Sequence, residues 1–336
     1  MQFCLRLSCI SAIPMTTSGT TLSSERDLSP SVPAPNCDAI IVNYNAGGLL
    51  GRCVHALWTE GPIVRVVVSD NGSVDASLAT LPDDSTGTAK LTVKKNNANL
   101  GFGRACNIGY TLTQASYILF INPDCIVESG SVEGLIRVLE QHPDMGMVGP
   151  MILNPDGSEQ VGARRTTPTP GRAFIKAFGL SRMSAVLPGL FKDFNLQDEP
   201  VPSQPTDVDA ISGACMLVRR SAIEQVGLFD EGYFMHCEDL DWCMRFRLAG
   251  WRVVFVPDAV VMHEKGVSSR SRPVFVEWHK HRGMARYYRK FFANRYPLIL
   301  MPFVMLAIWM RFGAVALRHL SRRLMGALIS PGAARG

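Results

Sequence analysis

The chain has 336 residues, 47% of them hydrophobic, which is enough for one large folded domain or two small ones. Its nine cysteines are dispersed with no CxxC pair and no zinc-ligand spacing, which excludes a disulfide framework and a zinc module and indicates reduced, intracellular thiols. The net charge of +5 is uneven: from Lys265 onward 14 basic residues face one acid, Glu277, giving +13, whereas the residues before it carry 20 basic and 28 acidic side chains, giving −8. An acidic body and a basic tail meet different partners.

Residues 1–36 read as a disordered extension, or as a start placed upstream of Met15. The apolar run near Met1 is broken by Arg6 and Ser8, which is poor for a signal peptide, and residues 16–36 are rich in Ser, Thr and Pro. Order begins at Asp38. Ala39-Ile40-Ile41-Val42 predicts a buried strand running into the polar turn Asn43-Tyr44-Asn45, followed by Gly47-Gly48 and a helical pattern through Trp58. Ile63 to Val68 predicts a second strand, ending in Ser69-Asp70-Asn71-Gly72-Ser73. A third, Leu91-Thr92-Val93, leads to Asn96 and Asn97. A helix is expected over 102–114, then a fourth strand, Tyr117 to Ile121, ending in Asn122-Pro123-Asp124. Strands alternating with helices predict an α/β fold with a mostly parallel sheet covered on both faces. Ligands then sit at the carboxyl ends of the strands, where the polar residues collect.

Residues 165–205 are rich in Pro, Gly and Ser and read as a variable excursion. A strand is expected over 207–218, where Gly213-Ala214 admits close approach of a backbone or ligand. Next comes Phe229-Asp230-Glu231-Gly232-Tyr233-Phe234-Met235-His236-Cys237-Glu238-Asp239-Leu240-Asp241-Trp242. Leu240, Met244 and Leu248 recur at helical spacing and Gly250 marks a stop, so Glu238, Asp239 and Asp241 fall in the first turn of a short helix. Carboxylates favour a helix N-terminus by roughly 0.3–1 kcal/mol each. Three of them also repel one another, which points to a proton, a cation or a substrate at that turn. Asp241 has a plainer reading, an i,i+4 pair with Arg245. Arg252 to Pro257 is a further strand, and Val260-Val261-Met262 leads to His263. The tail from Pro273 reads as a basic amphipathic helix, then thirteen uncharged residues from Leu298 to Met310 before Arg311. A membrane span takes about 20 apolar residues, so this run suits an interfacial or re-entrant anchor better than a crossing, with a buried hairpin in an oligomer as the alternative.

Taken singly, the polar turns are ambiguous. Asp70 in Ser-Asp-Asn-Gly-Ser reads equally as a turn former. The run Asn99-Leu100-Gly101-Phe102-Gly103-Arg104-Ala105-Cys106-Asn107 is not a dinucleotide motif, because Cys106 stands at the third glycine and the run follows the third strand. No GxxxxGK[ST] loop is present. Asp124 could cap its turn or present a carboxylate to a divalent cation.

In their order these segments resemble the family 2 glycosyltransferases of GT-A fold, in particular a bacterial rhamnosyltransferase-like branch, over about residues 38–266 and loosely into the tail. The resemblance implies a catalytic domain over 37–268, with a nucleotide-binding half (37–150) and an acceptor half (206–268), followed by a membrane-associating tail (269–336). It implies that Asn43, Tyr44, Asn45, Asp70 and Asn71 hold the nucleoside, and that Asn99, Arg104 and Asn107 line the nucleotide side. It makes Asn122, Pro123 and Asp124 the diphosphate turn, with Asp124 and His263 binding Mg²⁺ or Mn²⁺, and sets Gly213 and Ala214 beside the sugar. Asn122 replaces the first acid of the family's DxD element. Asp239 is implied as general base, with Glu238 positioning the acceptor. The implied donor is a nucleotide-diphospho-sugar, dTDP-rhamnose or a UDP-sugar, and the acceptor a polyprenyl-diphosphate-linked or other saccharide. The place is the cytoplasmic face of the inner membrane, at an anionic surface, in cell-envelope polysaccharide synthesis; homo-oligomers are compatible with the tail, and nucleic acid is not an expected partner. Two rival readings are a nucleotidyltransferase, which would carry a basic phosphate loop where residues 43–48 have no Lys or Arg, and a non-catalytic scaffold, in which the acidic cluster would be eroded.

Overall fold

A computed structural model describes residues 35–83, 89–171, 194–264, 272–297 and 299–329. Nearly all of the leader, the centre of the excursion and the start of the basic tail lie outside the described residues. Strand β1 (Cys37–Asn43) is buried throughout. Cys37, Ala39 and Ile41 enter one core layer and Ile40 and Val42 the other, as the two-residue period of a strand requires. Strand β4 (Tyr117–Ile121) divides in the same way, with Leu119 on the first side and Ile118 and Phe120 on the second. Unbroken apolar runs are therefore strands covered on both faces. Helices α1 (Leu49–Trp58) and α3 (Ser131–Gln141) cover the first face. Helices α2 (Phe102–Tyr110), α4 (Arg220–Val226) and α5 (Glu238–Leu248) cover the second.

The sheet also contains β2 (Ile63–Asp70), β3 (Lys90–Lys95), β5 (Cys125–Val127), β6 (Met145–Leu153), β8 (Thr206–Asp207), β10 (Cys215–Arg219) and β11 (Arg252–His263). Its order among the described residues is β3-β2-β1-β4-β10-β6-β11-β5, with β8 beside β11. Strands β3, β2, β1 and β4 run parallel. Strand β10 runs against both β4 and β6, and β6 is parallel to β11. The register aligns Asn43 with Asp70 and Cys215 with Ile121. The carboxyl ends of β1, β2, β4 and β11 thus share one edge with the amino end of β10. A separate ribbon pairs β7 (Arg164–Arg165) with β9 (Ala210–Ile211).

Three sequence expectations change. The helix expected to Gln114 ends at Tyr110, because buried Asp38 Oδ2 accepts the N–H groups of Gln114 (2.6 Å) and Ala115 (3.0 Å) and draws the chain toward β4. The single strand expected over 207–218 is three, β8, β9 and β10, because β9 pairs with β7 and the Ser212 N–H bonds Ala163 O rather than the main sheet. The two runs around Pro257 form one strand, β11, with an irregularity between Val256 and Val260.

Helix α6 (Pro273–Phe292) opens on a proline, which suits the first helical turn. The basic amphipathic reading holds, but its apolar face meets protein: Ala285, Tyr287, Tyr288 and Phe292 pack with Tyr233, Cys237, Met244 and Ile308. Helix α7 (Leu300–Ile329) runs straight through Arg311. Its segment Leu300–Arg322 is long and apolar enough to cross a membrane by length and composition, and is almost wholly uncovered by the rest of the chain. Phe303, Leu306, Met310 and Leu317 all stand exposed.

Candidate active site

The acidic turn is built by aromatic packing behind it. Trp242 is fully buried, its ring 4.0 Å from that of Phe229 and 5.2 Å from that of Phe120, and its Nε1–H donates to Gly227 O at 2.9 Å. Such ring pairs add about 0.5–1.5 kcal/mol each beyond area burial. Asn107 straps the loop before the turn: Oδ1 accepts the Phe229 N–H (3.0 Å), and Nδ2 donates to Phe229 O (3.0 Å) and Glu231 Oε1 (3.1 Å). Gly101, at φ +87°, lets Phe234 approach so closely that a Cβ there would lie 2.4 Å from the Phe234 carbonyl oxygen. His236 and Cys237 then take left-handed backbone angles of +62° and +71°. Non-glycine residues in that region cost on the order of 1–3 kcal/mol each and cluster at functional sites. The strained pair delivers Glu238, Asp239 and Asp241 to the N-terminus of α5.

The three acids have three environments. Asp241 is fully buried and accepts from Arg245 Nε (2.8 Å), Lys290 Nζ (2.6 Å) and Tyr233 Oη (3.1 Å), so the i,i+4 reading holds and α6 is tied to the turn. Lys290 and Arg286 also pair with Asp230. Asp239 Oδ2 accepts from Arg165 Nη2 (2.5 Å) and the Gly213 N–H (3.2 Å), and Oδ1 accepts the Leu240 N–H (2.8 Å). Burial alone would raise its pKa; the Arg165 charge and hydrogen bond, with the two backbone N–H groups, outweigh that and hold it below the usual carboxylate range. Glu238 is buried, with Oε2 unpartnered. Burial first, then the charge of Asp239, pushes its pKa well above the usual glutamate range. Burial and the Arg165 contact thus push the two neighbouring carboxyls in opposite directions, Asp239 toward the ionised form and Glu238 toward the protonated one.

Asp124 lies at the same edge. Its turn is fixed by the Asn122 N–H donating to Ala214 O at 2.9 Å, next to the Gly213 that binds Asp239. Two consecutive residues just before β10 therefore hold the two acidic turns. His263 is brought in by the pairing of β11 with β5, which sets it opposite Cys125. Gln160 Nε2 donates to Asn154 Oδ1 (3.0 Å) and His263 O (3.4 Å), which leaves Gln160 Oε1 to accept from His263 Nδ1–H at 2.7 Å. His263 Nε2 then faces Asp124 Oδ1 at 3.1 Å. A divalent cation held between them fits that distance, since roughly 3 Å is the spacing of neighbouring ligands around a small octahedral cation with bonds of about 2.1 Å, and a proton on Nε2 makes the same contact an ion pair. Asp124, Cys125 and His263 place ligand atoms within 4.8 Å of one another. Burial, then the Asp124 charge, raises the Cys125 thiol pKa, so it stays protonated and donates to Ala214 O. Asp124 and His263 thus offer one oxygen and one nitrogen ligand to a divalent cation.

At the carboxyl ends of β1 and β2, Asn43 Nδ2 donates to Asp70 Oδ1 (2.8 Å). Asp70 Oδ2 accepts the N–H groups of Gly72 and Ser73, both at 3.2 Å. Asn71 bonds Gly101 O (3.1 Å), Asn99 Oδ1 (3.4 Å) and Asn96 Nδ2 (3.0 Å). These residues form a rigid floor. Tyr44 and Asn45 are half-buried above it, Asn99 and Arg104 are exposed, and Arg104 pairs loosely with Glu231 at 3.5 Å. Three residues escaped the sequence reading: Arg165, Gln160 and Cys125. The Arg164-Arg165 pair carried the available signal, since a strand turns adjacent side chains to opposite sides; Arg164 is spent on Glu159 and Arg165 on Asp239.

The sequence model of the glycosyl transferase family 2 matches residues 38–227, and the chain belongs to that family. It is 34% identical over 260 residues to the N-acetylglucosaminyl-diphospho-decaprenol L-rhamnosyltransferase of Mycobacterium tuberculosis, covering 70% of this chain and 78% of that protein. It is 30% identical to rhamnosyltransferase WbbL of Escherichia coli K12, over 51% of this chain and 63% of that one. Among solved structures, the mannosyltransferase PcManGT from Pyrobaculum calidifontis, in complex with GDP-Man and Mn²⁺, aligns with a TM-score of 0.52 at 14% identity, over 88% of this chain and 81% of its own. GalNAc-T7 with UDP, GalNAc and Mn²⁺ aligns at 0.50 and 16% identity, over 68% and 44%. The fold is the GT-A fold of glycosyltransferases. The family match ends before the acidic turn at Glu238 and Asp239.

Proposed function

We propose that the protein is an inverting rhamnosyltransferase that moves L-rhamnose from a nucleotide-diphospho-sugar, dTDP-rhamnose, to a lipid-linked saccharide in cell-envelope polysaccharide synthesis. The observation that carries this reading is the pair of acidic turns held by Gly213 and Ala214: one suits a departing diphosphate, the other a proton. The rhamnosyltransferase relatives support the sugar and the lipid-linked acceptor.

In this reading Tyr44, Asn45, Asn99 and Arg104 receive the nucleotide over the floor made by Asn43, Asp70 and Asn71. Asp124 and His263 would hold Mg²⁺ or Mn²⁺, which would supply positive charge against the leaving diphosphate. Asp239 takes the acceptor hydroxyl proton while that oxygen bonds the anomeric carbon from the face opposite the diphosphate. The anomeric C–O bond breaks, its electron pair leaves with the nucleoside diphosphate, and the configuration inverts. Protonated Glu238 adds no second negative charge beside the base and can donate a hydrogen bond to the acceptor.

A donor panel tests the function: dTDP-L-rhamnose, UDP-sugars and GDP-mannose with a polyprenyl-diphosphate-linked N-acetylglucosamine and Mn²⁺. The expected product is a rhamnosylated lipid from dTDP-rhamnose alone. Turnover of another donor would replace the sugar, and nucleotide binding without any turnover would favour a non-catalytic scaffold.

We place the enzyme on the cytoplasmic face of the membrane, held by α7. Its outward Phe303, Leu306 and Met310 are exposed, and the tail is basic, each Lys or Arg near anionic lipid adding about 1 kcal/mol. In flotation with phosphatidylglycerol vesicles the full chain rises with the lipid, and the F303D/L306D/M310D variant stays in the dense fraction. Equal flotation of the two would place the membrane contact elsewhere.

A further inference from the structure

Arg165 comes from a short ribbon outside the main sheet, yet its guanidinium is almost covered and reaches the centre of the acidic turn. Its Nη2 donates to Asp239 Oδ2 at 2.5 Å and to Ile211 O at 2.6 Å, so β9 fixes the donor before it meets the carboxylate. Gly213 N–H, two residues further along, takes the same oxygen. A Cβ on Gly213 would stand 3.2 Å from Asp239 Cβ, so backbone and guanidinium close on Oδ2 from two sides. Oδ1 accepts a single N–H, from Leu240, and has a lone pair left.

The pair Glu238 and Asp239 sets the problem that Arg165 meets. Two adjacent buried carboxyls cannot both ionise cheaply, and something must decide which one keeps the proton. The charged and titratable groups facing Asp239 are few. Glu238 is its helix neighbour, and Arg165 arrives from β7. The thiols of Cys237 and Cys243 are kept protonated, chiefly by burial, and so bring no charge; Lys280 of α6 and Arg247 of α5 act on them only weakly in the opposite sense. Arg165 is therefore the one cation in direct contact with Asp239 among the described residues.

Resting on the reading of Asp239 as the base, we propose that Arg165 is a positioning residue of the transfer reaction: it pins Oδ2 of Asp239, leaves Oδ1 to the acceptor hydroxyl, and makes Asp239 rather than Glu238 the carboxylate that takes the proton. The transferred proton ends on Oδ1, while Oδ2 keeps its two donors throughout. Arg165 itself gains and loses no proton.

The test is the pH dependence of kcat/KM for wild type, Arg165→Met and Arg165→Lys, with thermal unfolding as the control for folding. A carboxyl held low by a cation titrates higher without it. The acid limb of the profile in Arg165→Met therefore moves up by about one unit or more, each unit being a tenfold change in the ionisation constant. The deficit against wild type is largest at low pH and shrinks as the pH rises. Arg165→Lys, which keeps the charge without the planar fork, lies between the two and serves alone if the methionine variant does not fold. A uniform loss at every pH, or a rise in KM with an unmoved acid limb, overturns the proposal and makes Arg165 a structural or substrate contact. Asp239→Asn separates the two layers of the argument: if it transfers at the wild-type rate, the base reading itself has failed, whatever Arg165 does.

Discussion

Asp239→Asn lowers transfer by about 10²–10⁴-fold, the usual contribution of a positioned general base, while nucleotide binding stays near wild type. Of the three acids in the turn, Asp239 is held toward the ionised form while only partly buried, with a lone pair left on Oδ1, whereas Asp241 is fully buried. Asp241 is consumed by Arg245, Lys290 and Tyr233, and Glu238 is held protonated by burial. The amide keeps the shape and can still accept from Gly213 or Leu240, but it takes no proton. It also leaves the buried Arg165 without its counter-charge, a loss that ranges up to roughly 3–5 kcal/mol for a fully buried pair. The variant is accordingly less stable, and unfolding curves must accompany the rates. Asp239→Glu keeps the charge and recovers part of the activity. Asp241→Asn instead shows its main effect in the unfolding curve, because it loosens α6 from the turn.

Asp124→Asn lowers transfer on the order of 10²–10³-fold, the range found when a group that stabilises transition-state charge is removed. The effect lies on donor binding as well as on rate, because the asparagine contributes no charge at the point where His263 Nε2 converges. Asn122, the other polar side chain of the turn Asn122-Pro123-Asp124, carries no charge, so no second carboxylate in that turn compensates. His263→Ala gives a smaller loss, because Asp124 still supplies the charged ligand. A wild-type rate for Asp124→Asn would show that the diphosphate is stabilised by other groups.

The parts of the fold that follow short-range rules were legible in the sequence. Continuous apolar runs gave β1, β2 and β4, and the polar residues closing them gathered at one edge as open α/β sheets require. Residues 125–153 were not assigned, for identifiable reasons. Strand β6 is interrupted in sequence by Gly146, Gly149 and Pro150, which read as breakers. In the structure a Cβ on Gly149 would stand 2.8 Å from Ile211 side-chain atoms and one on Gly146 about as close to Phe246 and Trp251, so close approach excludes a larger residue at both positions. Helix α3 lacks a local N-cap, because the N–H groups of Gly130 and Val132 bond the carboxylate of Glu60, remote in sequence. At the site, Asp124, His263 and Asp239 were legible by type and order. Arg165 and Gln160 were not, since nothing in their local sequence announces the side chain that each will meet. Asn107, expected to line the nucleotide side, commits its amide to the loop before the acidic turn.

The central claim is a division of labour: Asp124 serves the metal and the diphosphate, and Asp239 serves the proton. Titration calorimetry of dTDP into wild type, Asp124→Asn and Asp239→Asn, each with and without Mn²⁺, addresses it most directly. The account predicts that Mn²⁺ tightens binding in wild type and in Asp239→Asn, and leaves Asp124→Asn unchanged. Metal-dependent binding that survives in Asp124→Asn, or that disappears in Asp239→Asn, would contradict the assignment of the two acids.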